Sequence, residues 1–161
     1  MMASTNSTSA LGKAALNVVA AYESWSIDSI MNIRTPDCVT EVQPGSPHSP
    51  SSRLFATNFH LIASLAQPAM DNETYRAFFG GSVIPRLANW KLNISDIVED
   101  EKAKKVVLFA TAKADAVVTG GAYEQQYVYT FWFEGEDGKI KRMIEWLDSA
   151  KLVEQKSVFF D

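Results

Sequence analysis

A glutamate on the last apolar alternating stretch of the chain is the first candidate for chemistry. Glu145 lies between Met143 and Leu147 on one face of the segment 139–147, so its carboxyl group is expected to be partly desolvated. Desolvation raises the pKa of a carboxyl group toward the range useful for proton transfer near neutral pH. Glu145 is therefore the candidate acid–base group. The structural alternative is an ion pair with Arg34 or with a basic neighbour on the same segment.

A stripe of tyrosines on the preceding alternating stretch is the second candidate. Tyr123, Tyr127 and Tyr129 share the parity of Gln125, so they lie on one face of a predicted strand. Phenol hydroxyls tolerate a mostly apolar wall and can still donate a hydrogen bond to a ligand oxygen. Tyr123 and Tyr127 are candidate catalytic donors, and Tyr129 is a candidate substrate-binding residue. The alternative is an aromatic sheet face packed on a helix.

Five further residues have both a structural and a functional interpretation. Arg34 could satisfy carbonyls at a helix end, or it could reach inward and stabilise negative charge on a substrate oxygen. Asp148 could cap a helix or contact substrate. His60 could be a second acid–base group over a cavity mouth, or simply half-buried. Tyr75 and Trp90 are expected in the core or in the wall of a substrate cavity.

The composition excludes several classes of protein. The chain has 161 residues, 47% hydrophobic and 21% charged, which is typical of one globular domain. The net charge of −4 argues against a nucleic-acid partner. A single cysteine, Cys38, excludes a disulfide framework, and two histidines twelve residues apart do not make a metal site. Phosphate-binding and dinucleotide motifs are absent, so no cofactor is expected.

Targeting signals are also absent from the sequence. No apolar run approaches the roughly 18 residues that a membrane span requires. The first eight residues are polar and uncharged, unlike a signal peptide. We expect a disordered N-terminus over residues 1–8 and a cytoplasmic location.

The hydrophobic periodicity predicts the elements that must position these residues. Spacing of three and four predicts helices over 9–25, 26–34, 73–88 and 150–157. Alternation predicts strands over 39–43, from Trp90 onward, and over 105–118, 122–133 and 139–147. Segregated helices and strands indicate an α+β fold, in which N-terminal helices pack on a curved antiparallel sheet and leave a cone-shaped cavity.

Two sequence runs resemble a known family. WSIDSIMNIRTPDC (25–38) is similar to the helix–helix junction of SnoaL-like proteins of the NTF2-like fold, and KRMIEWLDSAK (141–151) is similar to their closing strand. The resemblance is strongest to fungal SnoaL-like isomerases and cyclases of secondary metabolism, including meroterpenoid ring-rearranging isomerases and indole-alkaloid semipinacolases. It covers about 10–45 and 68–152. It implies one domain over 9–157, with an extra loop or helix segment at about 46–65.

The resemblance also implies roles for individual residues. Arg34 matches an arginine that lines the cavity in this group, Tyr123 and Tyr127 match cavity-facing tyrosines, and Glu145 matches an acidic residue of the last strand. The implied activity is that of a cofactor-independent isomerase or cyclase, which rearranges a hydrophobic, oxygenated natural product by acid–base catalysis. The residues do not choose between a semipinacol shift and enolisation or ring reconstruction.

Alternatives from other functional classes stay open at this point. The same fold serves non-catalytic ligand-binding or dimerisation modules, and the same acid–base set could hydrolyse a lactone or an ester. The strand 105–118 is apolar on both faces, and such a strand is normally covered on both sides. Together with the resemblance, this predicts a homodimer.

Overall fold

A five-stranded sheet organises the computed structural model, which describes residues 9–43, 69–155 and 157–160. Predictions made for residues 1–8, for the segment 46–65 and for His60 lie outside these residues. The strands are β1 (Arg34–Gln43), β2 (Leu87–Asp100), β3 (Lys105–Ala116), β4 (Ala122–Glu134) and β5 (Lys139–Leu147). Their spatial order is β1-β5-β4-β3-β2.

Helices cover one face of the sheet. They are α1 (Ala10–Glu23), α2 (Ile27–Asn32), α3 (Asn72–Tyr75), α4 (Ser149–Glu154) and α5 (Ser157–Phe160). A π-helical segment, Arg76–Val83, and a 3-10 turn, Ile84–Arg86, continue α3 to the start of β2. The result confirms the α+β class, with the core between α1 and the sheet.

The helix starts follow the side-chain capping expected from the sequence. Ser9, Ser26, Asp71 and Asp148 precede α1, α2, α3 and α4, and each side chain accepts a hydrogen bond from a backbone N–H of its helix. Such caps satisfy donors that the helix itself leaves without partners. These four residues therefore fix where each helix begins.

The alternation of β4 and β5 places the candidate residues on the inner face. Tyr129 pairs with Glu145 and Tyr127 pairs with Leu147 across the two strands, and directly opposite residues project from the same side of a sheet. Every odd-numbered residue of β4 from Tyr123 to Phe133 is buried. This confirms the prediction that the β4 tyrosines share one face of the sheet and that Glu145 shares a face with Met143 and Leu147.

Three expectations about the elements were wrong. The second helix ends at Asn32 rather than at Arg34, because Arg34 pairs with Ile140 and begins β1. The helix predicted over 73–88 consists of α3, the π-helical segment and the 3-10 turn, and it ends at Arg86 because Leu87 pairs with Ala116 and begins β2. The sheet is not wholly antiparallel, since β1 runs parallel to β5. A parallel neighbour is possible here because the chain between the two strands is long enough to return.

The turn between β4 and β5 lies directly on α1. Gly138 has a positive φ of +60°, and a Cβ atom there would lie 2.9 Å from the Cβ of Ala14. A side chain at this position would therefore clash with the helix, and its backbone would be strained. Glycine lets the sheet approach α1 at this end. Separately, no helix in the described ranges is long and apolar enough to cross a membrane.

Candidate active site

A cavity of about 240 Å³ lies between the inner face of the sheet and the helices that cover it. Its wall is mostly apolar and aromatic. All five tyrosines of the chain line it: Tyr22, Tyr75, Tyr123, Tyr127 and Tyr129. They come from α1, α3 and β4, so three separate elements direct their phenol groups to one space. A largely apolar pocket with a few convergent polar groups is the usual form of a small-molecule site.

Glu145 is the acidic group of this wall. Within the described residues its carboxyl group has no hydrogen bond and no ion pair, although the side chain lines the cavity. Burial raises the pKa of Glu145 from its ordinary value to about 7. A carboxyl group with that pKa exists in both protonation states near neutral pH, as a group that gives and takes protons must.

The ion pairs that were the structural alternative for Glu145 are made elsewhere. Lys141 contacts Glu134 at 2.7 Å and Arg142 contacts Glu41 at 2.8 Å, both on the exposed side of the sheet. Because these basic residues point away from the inner face, they leave Glu145 as an isolated carboxyl group. Burial, with no cation paired to the carboxyl group among the described residues, is what raises the pKa of Glu145.

The tyrosine hydroxyls form two hydrogen-bonded pairs in the wall. The Oη atoms of Tyr22 and Tyr75 are 2.7 Å apart, and those of Tyr123 and Tyr127 are 2.8 Å apart. Burial raises the pKa of all four phenols above the ordinary value. They therefore stay protonated near neutral pH and can donate hydrogen bonds to an oxygen atom in the cavity.

Solved structures with the same fold include a pinacolase. BvnE pinacolase from Penicillium brevicompactum matches with a TM-score of 0.74 at 23% identity, covering 98% of this chain and 95% of that one. AusH from Aspergillus nidulans matches with a TM-score of 0.68 at 26% identity, and the match covers 87% of this chain and 84% of that one. A SnoaL-like polyketide cyclase from Shewanella denitrificans matches at 0.65 and 12%, covering 91% and 96%.

A fungal relative decides the family. Core atranone cluster protein 11 from Stachybotrys chlorohalonatus is 35% identical over 98 residues, which cover 60% of this chain and 71% of that protein. The chain belongs to the family of this fungal protein, and it has the NTF2-like fold of SnoaL-like proteins. A monooxygenase, nsrS, from Aspergillus novofumigatus is 29% identical over 90 residues, 56% of this chain and 60% of that protein. No model of a known protein family matches the chain.

Arg34 of this SnoaL-like protein does not lie where the resemblance implied. It is 4% exposed but is not among the residues that line the cavity. Its Nε donates to Asn72 Oδ1 at 2.7 Å and its Nη2 donates to Thr40 Oγ1 at 2.8 Å. The guanidinium lies 4.3 Å from the ring centroid of Tyr75. Because Tyr75 lines the cavity and Arg34 does not, Arg34 contacts the cavity wall through the Tyr75 ring.

Trp90 is part of the cavity wall, as one of its two interpretations predicted. Its ring stacks on Trp25 with centroids 4.7 Å apart. Trp25 has a positive φ of 51° and donates its indole N–H to the carbonyls of Ile84 and Leu87, at 3.2 and 2.7 Å. A strained backbone at a bulky residue needs support from its surroundings. The two indole hydrogen bonds support the strained backbone of Trp25, and the stacked Trp25 ring holds the Trp90 ring in the cavity wall.

Asp148 does not line the cavity, and the prediction for His60 has no outcome among the described residues. The Asp148 carboxylate accepts hydrogen bonds from the N–H groups of Ala150 and Lys151, so it caps α4, and it borders a depression on the outer face of the sheet. His60 lies outside the described residues. Among the described residues, no group of three His, Cys, Asp or Glu side chains could hold a metal ion.

Three polar residues of the wall were not among the predicted site residues: Tyr22, Ser82 and Arg86. Tyr22 lies within the helix predicted over 9–25, and its hydroxyl was a signal that this helix meets something polar. Arg86 carries no such signal, because its position on the wall depends on the 3-10 turn that precedes β2. Cys38 is a free, buried cysteine.

Proposed function

We propose that this protein is an isomerase that rearranges a hydrophobic, oxygenated natural product by acid–base catalysis. The observation that carries the proposal is Glu145, an isolated carboxyl group in an aromatic cavity with a pKa near 7. A module that only binds partners has no need of such a group, because an unpaired carboxyl in an apolar wall is costly. The likeness to BvnE pinacolase supports the same activity.

The proposed roles follow from the arrangement of the wall. Glu145 removes a proton from the substrate, and the Tyr123–Tyr127 pair donates a hydrogen bond to the oxygen atom on which charge develops. In a semipinacol shift of a substrate with a hydroxyl group next to an epoxide or imine carbon, the hydroxyl loses its proton and its C–O bond becomes the C=O bond of a ketone. A carbon–carbon bond of the same carbon migrates to the neighbouring carbon, where the epoxide C–O bond or the imine π bond breaks. The electron pair of that broken bond takes up a proton, so the product is an isomer of the substrate. Enolisation with ring reconstruction uses the same groups.

The remaining candidate residues position these groups in the proposal. Tyr75, Tyr129 and Trp90 form the wall against which the substrate lies, and Arg34 holds the Tyr75 ring from behind. The Tyr22–Tyr75 pair offers a second donor to a substrate oxygen. Orientation in a confined cavity lowers the barrier in addition to proton transfer. A carboxyl group and phenols suffice for this chemistry, so the proposal requires no cofactor.

The mass of the product tests the proposed reaction class. The purified protein is incubated with a panel of oxygenated terpenoids and oxidised indole alkaloids, and each mixture is analysed by liquid chromatography with mass spectrometry. We expect a new product with the mass of its substrate, because an isomerase returns the proton that it removes. A product one oxygen atom heavier than its substrate would instead indicate a monooxygenase, which is the name given to the relative nsrS. A product heavier by one water molecule would indicate a hydrolase.

We also propose that the protein is a homodimer formed through the outer face of the sheet. Phe109, Val128 and Trp146 are aligned across β3, β4 and β5 on that face, and Phe109 and Trp146 are exposed. An apolar row of this kind on an exposed sheet marks an interaction surface.

The expected cytoplasmic location stays a prediction.

Sedimentation equilibrium tests the dimer. We expect twice the chain mass for the wild-type protein and the chain mass for Trp146→Glu, since a carboxylate in the centre of the interface would be buried without a partner. Val117→Glu is the matched control, because Val117 is exposed in the turn between β3 and β4. A monomeric wild-type protein, or a Trp146→Glu variant that remains a dimer, would contradict the proposal.

A further inference from the structure

Arg86 places a positive charge in the wall of the cavity. It is half-buried at the end of the 3-10 turn, immediately before β2. The backbone around it is held from two sides, because its carbonyl accepts a hydrogen bond from the N–H of Val117 at 2.8 Å and the Trp25 indole donates to the carbonyls of Ile84 and Leu87. The side chain therefore projects from a fixed point.

Among the described residues, the Arg86 guanidinium has one hydrogen-bond partner, a backbone carbonyl. Its Nη1 donates to the carbonyl of Ser82 at 2.7 Å, and no acidic side chain of the described residues pairs with it. The other arginines in the described ranges all contact side chains: Arg34 contacts Asn72 and Thr40, Arg76 contacts Asp28, and Arg142 contacts Glu41. The sequence from 44 to 68 contains no Asp or Glu, so it supplies no carboxylate.

The charge of Arg86 is also separate from the Glu145 carboxyl. Burial is the cause of the raised pKa of Glu145, whereas a guanidinium in contact with that carboxyl would lower its pKa. Besides the tyrosine hydroxyls, the mostly apolar wall therefore carries two separate ionisable groups. One is an acid–base group on β5, and the other is a cation beside the start of β2.

We propose that Arg86 binds a planar, negatively charged pair of oxygen atoms on the substrate, such as a carboxylate or the enolate of a 1,3-dicarbonyl. The guanidinium presents parallel N–H donors in a rigid plane, which matches two oxygens of one group better than a single hydroxyl or ether oxygen. This inference deepens the proposed function and rests on it, because it takes the cavity to be the substrate site. It assigns the substrate an acidic end and a reacting centre that lies apart from it, at Glu145.

Calorimetric binding of two simple probes tests this assignment without turnover. 2-Naphthoate and 2-naphthamide have the same aromatic body for the aromatic wall, but only the first carries an anionic pair of oxygens. The titrations are done with the full chain at about pH 6, where Glu145 is mostly protonated and does not repel the anion. We expect the wild-type protein to bind naphthoate at least about tenfold more tightly than naphthamide.

Three variants make the outcome specific. Arg86→Gln should reduce the naphthoate preference to about twofold or less and leave naphthamide binding unchanged, while Arg86→Lys should retain an intermediate preference. Arg76→Gln is the matched control, because Arg76 is exposed and paired with Asp28, and it should keep the full preference. A wild-type protein without any preference, including one that binds neither probe, overturns the inference, as does a full preference in Arg86→Gln.

The same titrations separate this inference from the proposed reaction. Glu145→Gln should keep the naphthoate preference, since the anion contacts Arg86 and not Glu145. If Glu145→Gln turned out to be fully active, the acid–base mechanism would fail while the binding result at Arg86 stood. If Arg86→Gln kept its preference, the assignment at Arg86 would fail while the acid–base mechanism stood.

Discussion

Glu145→Gln is expected to lower turnover by about a thousandfold, because proton transfer by a positioned carboxyl group contributes roughly 10²- to 10⁴-fold. Glutamine keeps the size of the side chain and its place opposite Tyr129, but it cannot take up or release the proton. The measurement is kcat with the substrate that the product-mass screen identifies. Glu124→Gln is the matched control, since Glu124 is also on the sheet but pairs with Lys113 and Lys151.

The dependence of kcat/KM on pH should show the titration of Glu145 in the wild-type protein. If Glu145 removes the first proton, its carboxylate form is the active one, so kcat/KM should rise as the pH increases through about 7 and then level off. The rise should be missing from the residual activity of Glu145→Gln and present in Glu124→Gln. A wild-type profile that stays flat across neutral pH, or a Glu145→Gln variant with full activity, would contradict the proton-transfer role.

Stability measurements give an independent check that needs no substrate. The pKa of Glu145 is raised from 4.5 to about 7 in the folded protein, so the folded state favours the protonated form. The protonated Glu145 side chain makes its full contribution to the free energy of unfolding below its pKa in the unfolded chain. That contribution is lost as the pH rises toward its pKa in the folded protein. The wild-type free energy of unfolding should therefore fall relative to that of Glu145→Gln between these two values, by at most about 3 kcal/mol.

The inner faces of β4 and β5 could be predicted because they depend on alternation alone. In a strand, successive side chains point to opposite faces, so the residues beside Glu145 and Tyr127 already determined which way these two groups face. The position of Asp148 followed from local chemistry in the same way, since an aspartate at a helix start accepts backbone N–H bonds wherever that helix lies.

The surroundings of Arg34 could not be predicted because they depend on residues far away in the sequence. The stretch before it continues a helical spacing, and only pairing with Ile140 on β5 makes Arg34 the first residue of a strand. Its partner Asn72 comes from the start of α3. The π-helical turn Arg76–Val83 was hidden for a different reason, because over eight residues its apolar spacing is hard to tell from that of an α-helix.

Tyr127→Phe is expected to lower kcat by about a hundredfold, because loss of one preorganised donor to a developing oxyanion costs roughly 10²- to 10³-fold. The substitution removes only the hydroxyl. The ring should keep its stacking on Tyr129, where the centroids are 5.0 Å apart, so the melting temperature should change little. A large loss of kcat with an unchanged fold would place the hydroxyl at the reacting oxygen.

Combining this substitution with Tyr123→Phe decides how the pair works. The two hydroxyls are 2.8 Å apart, so Tyr123 can act by polarising the Tyr127 hydroxyl, and groups that act as a unit are strongly non-additive. We expect Tyr123→Phe alone to cost about tenfold and the double variant to lose no more than Tyr127→Phe alone. Tyr22→Phe removes a hydroxyl from the other pair and should cost less than Tyr127→Phe. If Tyr22→Phe were the more damaging change, the reacting oxygen would lie at the Tyr22–Tyr75 pair, and α1 and α3 rather than β4 would hold it.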